Sequence, residues 1–169
     1  MLELGGNNAI IVTPNADIKM TIMGSVFGAV GTCGQRCTST RRLIVHEEIY
    51  DNVRSSLTKA YNQIKIGDPL DSNNHVGPLI DKQAVKLYEN AISQVNDQGG
   101  KWLVKGGVLN GNGYSSGCYV KPAIAEVDHS LKIVHQETFA PILYLIKYSG
   151  NVENAIHIHC LLYTSPSPR

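Results

Sequence analysis

The sequence predicts an α/β fold whose sheet is largely parallel and covered by helices. Short apolar runs rich in β-branched residues alternate along the chain with longer segments that carry apolar residues at helical spacing. Strands that alternate with helices of this length are typical of a parallel sheet, because each crossover connection lays a helix on the sheet. Apolar residues make up 43% and charged residues 17% of the 169-residue chain, which is typical of a globular protein with a sizeable core.

The first part of the chain predicts two strands, each followed by a helix. Residues 9–13 form a continuous apolar run, which predicts a buried strand. Asn15 or Asp17 can cap the first helix, and residues 42–46 predict the second strand, with a second helix from Glu47. The inward stripe of the first helix comprises Ile18, Ile22, Val26 or Phe27, and Val30. The stripe of the second comprises Ile49, Val53, Leu57, Tyr61 and Ile64.

The second part predicts one more helix and further strands. A helix begins near Asp81 and carries its own apolar stripe, and residues 101–104 predict a strand. Residues 106–117 are rich in glycine, asparagine and serine and predict a long loop. Residues 119–127 predict irregular to extended structure, and residues 142–148 alternate apolar and polar side chains as a strand does. The stripe of the third helix comprises Val85, Tyr88, Ile92 and Val95.

The overall charge and the cysteine content bear on partners and compartment. A formal net charge of +1 argues against binding to nucleic acid or to an anionic membrane. The chain shows no apolar run long enough to span a membrane and no secretory signal. Four cysteines are too few for a dense disulfide framework in a chain of this length. We therefore expect a reducing compartment, either the cytoplasm or the mitochondrial matrix.

A glycine-containing turn is the candidate reactive centre. Gly31 and Gly34 allow backbone conformations that other residues disfavour, so that Cys37 can be presented on a tight connection. Arg36 precedes the cysteine, and a nearby cation favours the nucleophilic thiolate. On these residues alone, Cys37 is a candidate nucleophile or a small buried apolar residue.

Three separated motifs carry a resemblance to a known family. Residues 3–6 read E-L-G-G, residues 34–37 read G-Q-R-C, and residues 137–141 read E-T-F-A-P. Their order and spacing resemble the NAD(P)-dependent aldehyde dehydrogenase superfamily. Asn7 and Asn8, together with Arg36, are similar to its antiquitin group, family 7, whose members oxidise α-aminoadipic semialdehyde in lysine breakdown.

The resemblance implies the two catalytic roles. Cys37 would attack the aldehyde as a thiolate, and loss of hydride to NAD would leave a thioester. Glu3 would act as the general base for the water that hydrolyses this thioester. Read without the resemblance, Glu3 is an ordinary solvated charge.

The resemblance also implies the binding residues. Glu137 would accept hydrogen bonds from the nicotinamide ribose, Phe139 would form an apolar wall for the ring, and Gly5 would adjoin the cofactor. Arg36 would bind the substrate carboxylate, because a guanidinium offers two parallel donors to it. Without the resemblance, an arginine in an ion pair is the favoured interpretation of Arg36. Phe139 is then equally well an ordinary core aromatic.

The resemblance predicts how the chain is divided. Residues 1–156 are predicted to be a partial catalytic domain, and residues 157–169 a non-matching tail that is artefactual or disordered. The upstream part of the family pattern, including its cofactor domain, is not seen. We therefore expect that the 169-residue chain alone does not reduce NAD. The complete enzyme is expected to be a homotetramer acting on a small aldehyde.

Two other classes of protein stay open. One is a thiol-redox or metal-binding module, although no metal is expected because the cysteine spacing is not the usual C-x2-C pair. Its ligands would be Cys33, Cys37, His157, His159 and Cys160. The other is a non-catalytic relative of the same fold, which could have lost its nucleophile or base; this chain retains Cys37, Glu3 and Glu137.

Overall fold

The structure is a computed structural model and describes residues 6–160. Strands and helices alternate along this part of the chain. The helices are α1 (Ile18–Val30), α2 (Glu47–Tyr61), α3 (Lys82–Asp97) and α4 (Val152–Cys160). The strands are β1 (Asn8–Val12), β2 (Thr40–His46), β3 (Lys101–Val104), β4 (Gly107–Val108), β5 (Val120–Lys121), β6 (Ala123–Glu126) and β7 (Ile142–Tyr148). Short 3₁₀ turns lie at Gly31–Gly34 and Lys132–His135.

The main sheet has the strand order β1-β2-β7-β6-β3. All neighbouring strands in it are parallel except β3, which runs antiparallel to β6 at one edge. The predicted α/β class with a largely parallel sheet is therefore confirmed. Strands β4 and β5 form a separate two-stranded antiparallel ribbon. The prediction that residues 106–117 form a loop throughout was wrong at β4. This strand is too short to produce a periodic signal in the sequence.

Strand β7 lies at the centre of the sheet, between β2 and β6. All its residues are buried except Lys147, so the expected alternation of exposed and buried side chains was wrong. Its tyrosines at 144 and 148 are buried although they carry hydroxyl groups. A central strand of a helix-covered parallel sheet has both faces buried, and this position in the sheet is not visible in a short local pattern.

The helices form where the apolar stripes predict them. The Asp17 side chain caps α1 by accepting a hydrogen bond from the Met20 N–H at 2.9 Å. Val26 packs against the core, whereas Phe27 is 69% exposed. Of the two alternatives for the inward stripe of α1, Val26 is therefore the correct one. Helix α2 ends at Tyr61, before the predicted Ile64.

The C-terminal helix α4 passes the predicted boundary at residue 156. Its residues 157–160 are helical, and the division of the chain at residue 156 stays a prediction. Residues 161–169 lie outside the described part of the chain. Between residues 6 and 160, no helix combines the length and the apolar character needed to cross a membrane.

Candidate active site

The turn between α1 and β2 has an unusual backbone. Thr32, Cys33 and Gly34 all have positive φ angles, of 52°, 54° and 66°. Two consecutive non-glycine residues in this region are uncommon and cost conformational energy, so the surrounding contacts must hold them. At Gly34 a Cβ atom would lie 2.6 Å from the Ala140 carbonyl carbon. The turn therefore rests directly on the backbone of the 137–141 segment.

Cys37 follows this turn and is half-buried. The Asn8 side chain donates from Nδ2 to the Cys37 carbonyl at 2.6 Å and to the Ser39 carbonyl at 3.3 Å. The Arg36 N–H donates to the Ser39 hydroxyl at 3.1 Å. These hydrogen bonds fix the backbone on both sides of the cysteine, so its position is set by β1 and by the start of β2.

Gln35 connects the turn to the segment that precedes α3. Its Oε1 accepts from the Ile80 N–H at 2.8 Å, and its Nε2 lies 3.3 Å from the Thr32 carbonyl and 3.4 Å from the Pro78 carbonyl. An amide side chain can donate and accept at once, which explains glutamine at this position of the G-Q-R-C motif.

Arg41 connects the turn to the E-T-F-A-P segment. Its guanidinium is buried and donates from Nη1 to the Gly34 carbonyl at 2.7 Å and to the Ala140 carbonyl at 3.2 Å. Its Nη2 lies 3.5 Å from Oε1 of Glu137, and its Cζ lies 5.2 Å from the centroid of the Phe139 ring. Burial lowers the pKa of Arg41, and the negative charge of Glu137 opposes that shift.

Glu137 and Phe139 line two neighbouring cavities. Glu137, Thr138 and Phe139 form one wall of a cavity of about 170 Å³, whose opposite wall is α3. Phe139 also lines a cavity of about 520 Å³ with Thr32 and Gln35 of the cysteine turn. The Glu137 side chain is 24% exposed, so its carboxylate stays accessible beside Arg41. A reachable carboxylate next to an aromatic wall fits a ribose hydroxyl pair joined to a planar ring.

Arg36 folds back onto the end of α1. Its Nη2 donates to the Phe27 carbonyl at 3.2 Å, and its Cζ lies 5.0 Å from the centroid of the Phe27 ring. Its Nε is buried without a hydrogen-bond partner, and no carboxylate of residues 6–160 lies within ion-pair distance of it. Within that part of the chain, the ion-pair alternative for Arg36 therefore has no partner.

Arg42 projects to the opposite face of the sheet from Arg41, because neighbouring strand residues alternate. Its Nη2 donates to the Asn7 carbonyl at 2.7 Å and contacts His159 Nδ1 at 3.0 Å. The Asn7 side chain in turn donates to the Val134 carbonyl at 2.8 Å. Arg42 therefore anchors the chain directly after the E-L-G-G motif. Glu3 and Gly5, the predicted base and cofactor contact of that motif, lie outside the described residues.

The structure places Glu137 and Phe139 on one cavity wall, and Arg41 links their segment to the turn that precedes Arg36 and Cys37. The structure also identifies positioning residues to which the sequence analysis gave no role; these are Asn8, Gln35, Arg41 and Arg42. The sequence contained a signal for the two arginines, since Arg41 precedes and Arg42 begins the apolar run over residues 42–46. Buried arginines need partners, so such a pair indicates hydrogen-bonded structure nearby.

The alternative metal-binding residues are separated in the structure. Cys33 is buried in the turn, and burial raises the pKa of its thiol to about 12. His157, His159 and Cys160 lie on α4, where His159 contacts Arg42. Among residues 6–160, no group of three or more histidine, cysteine or acidic side chains could hold a metal ion. All four cysteines are free thiols.

Comparison with known proteins identifies the family of this chain. The model of the aldehyde dehydrogenase family matches residues 1–159. The chain is 47% identical over 154 residues to the α-aminoadipic semialdehyde dehydrogenase of Bos taurus, covering 90% of this chain and 28% of that protein. It is 46% identical over 159 residues to aldehyde dehydrogenase family 7 member A1 of Pisum sativum, covering 94% and 30%. The chain thus spans less than a third of these relatives.

Solved structures share the fold. A 3,6-anhydro-L-galactose dehydrogenase in complex with NAP superimposes with a TM-score of 0.88 at 29% identity, over 92% of this chain and 33% of that one. Betaine aldehyde dehydrogenase of Staphylococcus aureus in complex with NAD⁺ superimposes with a TM-score of 0.87 at 24% identity, over 92% and 31%. Because the family model matches nearly the whole chain and these dehydrogenases share its fold, the chain belongs to the aldehyde dehydrogenase family.

Proposed function

We propose that this chain forms the nucleophile-bearing part of an enzyme that oxidises α-aminoadipic semialdehyde to the carboxylate with NAD. The observation that carries the proposal is the junction at Arg41. It ties the turn before Cys37 to the segment that bears Glu137 and Phe139. This junction supports the inference that the candidate nucleophile and the candidate cofactor-binding groups serve one site.

The comparisons support this assignment of substrate and cofactor. The bovine relative is named for α-aminoadipic semialdehyde, and the two superimposed dehydrogenases were solved with NAP and NAD⁺. The accessible Glu137 carboxylate and the Phe139 ring fit the ribose and the nicotinamide of such a cofactor. A planar guanidinium such as that of Arg36 can donate two parallel hydrogen bonds to the carboxylate of a semialdehyde.

The residues of this chain divide the work of the reaction. The Cys37 thiolate attacks the aldehyde carbon and forms a thiohemiacetal. When bound, NAD supplies the hydride acceptor. The acyl group is then held on Cys37 as a thioester, and Glu3 takes a proton from the water that hydrolyses it. Arg36 orients the substrate by its distant carboxylate, and that contact raises the effective concentration of the aldehyde beside the sulfur.

The remaining expectations concern the whole protein. We infer that the complete enzyme is a homotetramer, as the family resemblance implies. We place it in the cytoplasm or the mitochondrial matrix, since a reducing compartment suits its four free cysteines.

The substitution Arg36→Ala in the complete enzyme tests the proposed function. We expect kcat/KM for α-aminoadipic semialdehyde to fall about 100-fold, while that for hexanal changes less than about threefold, because only the first carries a carboxylate. Steady-state NADH formation measures both. The control variant Cys37→Ala should abolish activity on both aldehydes. Equal losses on the two substrates in Arg36→Ala would contradict the carboxylate role.

A further inference from the structure

Arg41 is a buried cation at the boundary between two parts of the candidate site. It is 2% exposed, and burying a charge is costly unless hydrogen bonds and an opposite charge compensate it. Its compensation comes from the two segments on either side. The turn supplies the carbonyls of Gly34 and Arg36, and the E-T-F-A-P segment supplies the Ala140 carbonyl and the Glu137 carboxylate.

The shape of the guanidinium matters for this arrangement. Its planar fork directs several N–H groups at once, and here Nη1 serves carbonyls of both segments while Nη2 faces Arg36 and Glu137. A lysine would keep the charge but, as a compact ammonium, would lack the planar fork that spans both segments. The Phe139 ring lies beside the same guanidinium.

Glu137 has few other restraints among residues 6–160. Its carboxylate is partly exposed at the edge of a cavity, and Arg41 is the cation that it faces. A partly exposed glutamate side chain has several rotamers, so a fixed cation selects the orientation in which Oε1 lies beside Nη2 of Arg41. Arg41 therefore determines where a ribose-binding carboxylate stands relative to the cysteine turn.

We propose that Arg41 is a positioning residue that holds Glu137 and Phe139 in register with Cys37 for cofactor binding. This inference rests on the proposed function, because it assigns Glu137 to the cofactor. Arg41 acts through Glu137 and through the backbone of the turn. Its loss should therefore weaken NAD binding far more than it affects binding of the aldehyde.

The test compares Arg41→Lys with wild type in the complete enzyme. We expect the dissociation constant of NAD, measured by calorimetry without aldehyde, to rise about tenfold, which corresponds to about 1.4 kcal/mol. The KM for the aldehyde should change less than about twofold, because the substitution leaves the Arg36 side chain, the proposed substrate contact, unchanged. Arg54→Met is the control. It removes an ion pair with Glu126, 3.2 Å long and outside the site, and should leave NAD affinity unchanged.

A double-mutant cycle separates positioning from general destabilisation. In a Glu137→Gln background, Arg41→Lys should cause little further loss of NAD affinity, because the group through which it acts is already altered. A fully additive loss would overturn the proposal, as would unchanged NAD affinity in Arg41→Lys. Wild-type enzyme that fails to bind NAD would overturn the proposed function and this inference together. If wild-type enzyme binds NAD but does not oxidise the semialdehyde, only the substrate assignment is overturned.

Discussion

The two cysteines near the turn have different surroundings, although only three residues separate them. Cys33 is 1% exposed, and burial raises the pKa of its thiol, whereas Cys37 is half-buried. A buried thiol with a raised pKa carries almost no thiolate at neutral pH, and its access to reagents is blocked. The local structure therefore separates a packing cysteine from a candidate nucleophile.

Alkylation of the native protein checks this difference. With iodoacetamide at pH 7.5 we expect modification of Cys37 at least about tenfold faster than of Cys33, because the reagent requires an accessible thiolate. Peptide mass spectrometry after a time course gives both rates. Unfolded protein is the control, in which the two cysteines should react at similar rates. Equal rates in the native protein would show that Cys33 is not shielded.

The adjacent arginines of β2 make contacts on opposite faces of the sheet. Arg41 reaches the cysteine turn on one face of the sheet, and Arg42 reaches Asn7 and His159 on the other. Burial lowers the pKa of Arg42 to about 10, which leaves it charged at neutral pH. Each arginine is compensated by backbone carbonyls, so neither is replaceable by an apolar residue without leaving those carbonyls unpaired.

The cysteine turn is stabilised by its fit against the 137–141 segment. Gly34 has a φ of +66° and lies so close to Ala140 and Pro141 that a side chain has no room. Hydrogen bonds also join the turn and its flanking residues to three other parts of the chain. These are β1 through Asn8, the segment before α3 through Gln35, and the 137–141 segment through Arg41. The turn is thus a rigid element, which suits a residue that must meet a substrate at a set position.

Two glycine substitutions test this packing. Gly34→Ala should lower the free energy of unfolding by about 2 kcal/mol or more, because it adds both backbone strain and a clash with backbone atoms. Gly24→Ala is the matched control in α1, where a Cβ would meet no atom within 4 Å. It should stabilise the protein by about 0.5–1 kcal/mol through helix propensity. Urea unfolding measures both, and a neutral Gly34→Ala would contradict the close fit.

The order of the strands joins the separate segments into one molecule. Because β2 lies beside β7, the turn before β2 meets the segment before β7 at the same end of the sheet. On the other face, Arg42 joins β2 to α4 through His159 and to the start of β1 through Asn7. The buried Arg42 side chain therefore contacts both the N-terminal and the C-terminal parts of residues 6–160.

This link predicts a pH dependence of stability. Burial, and then the positive charge of Arg42, lower the pKa of His159 below its usual 6.5. The unfolded state therefore binds a proton at higher pH than the folded state does. The contribution of neutral His159 is complete above pH 6.5 and decreases as the pH falls toward the lower pKa of the folded protein.

The comparison of two histidine variants measures that contribution. His159→Asn keeps an acceptor for Arg42 but cannot be protonated, so the loss of stability between pH 7.5 and pH 5.5 should be smaller than in wild type. His157→Asn, at an exposed position of the same helix, should behave as wild type. Urea unfolding at the two pH values gives the difference. An unchanged pH dependence in His159→Asn would exclude His159 as the titrating group.

Local patterns in the sequence were sufficient for the elements and for the candidate nucleophile. The 3.6-residue and β-branched periodicities depend on neighbours within a few positions, so the main helices and most strands of the main sheet were predicted close to their bounds. The E-L-G-G, G-Q-R-C and E-T-F-A-P motifs are also local, and they indicated the family before any coordinates. The short ribbon β4–β5 and the two-sided burial of β7 were not predicted, because neither depends on a local repeat.

Only the tertiary structure decided how these parts meet. Arg41 bonds to Ala140 across 99 residues, Gln35 bonds to Ile80 across 45, and Asn8 holds the Cys37 carbonyl across 29. Such contacts follow from the strand order and from the close approach of two backbone segments at Gly34. Neither feature can be inferred from the periodicity of apolar residues in the sequence. The sequence thus determined which residues are available for the chemistry. The fold determined which of them share a site, because packing brings together residues that are distant in the chain.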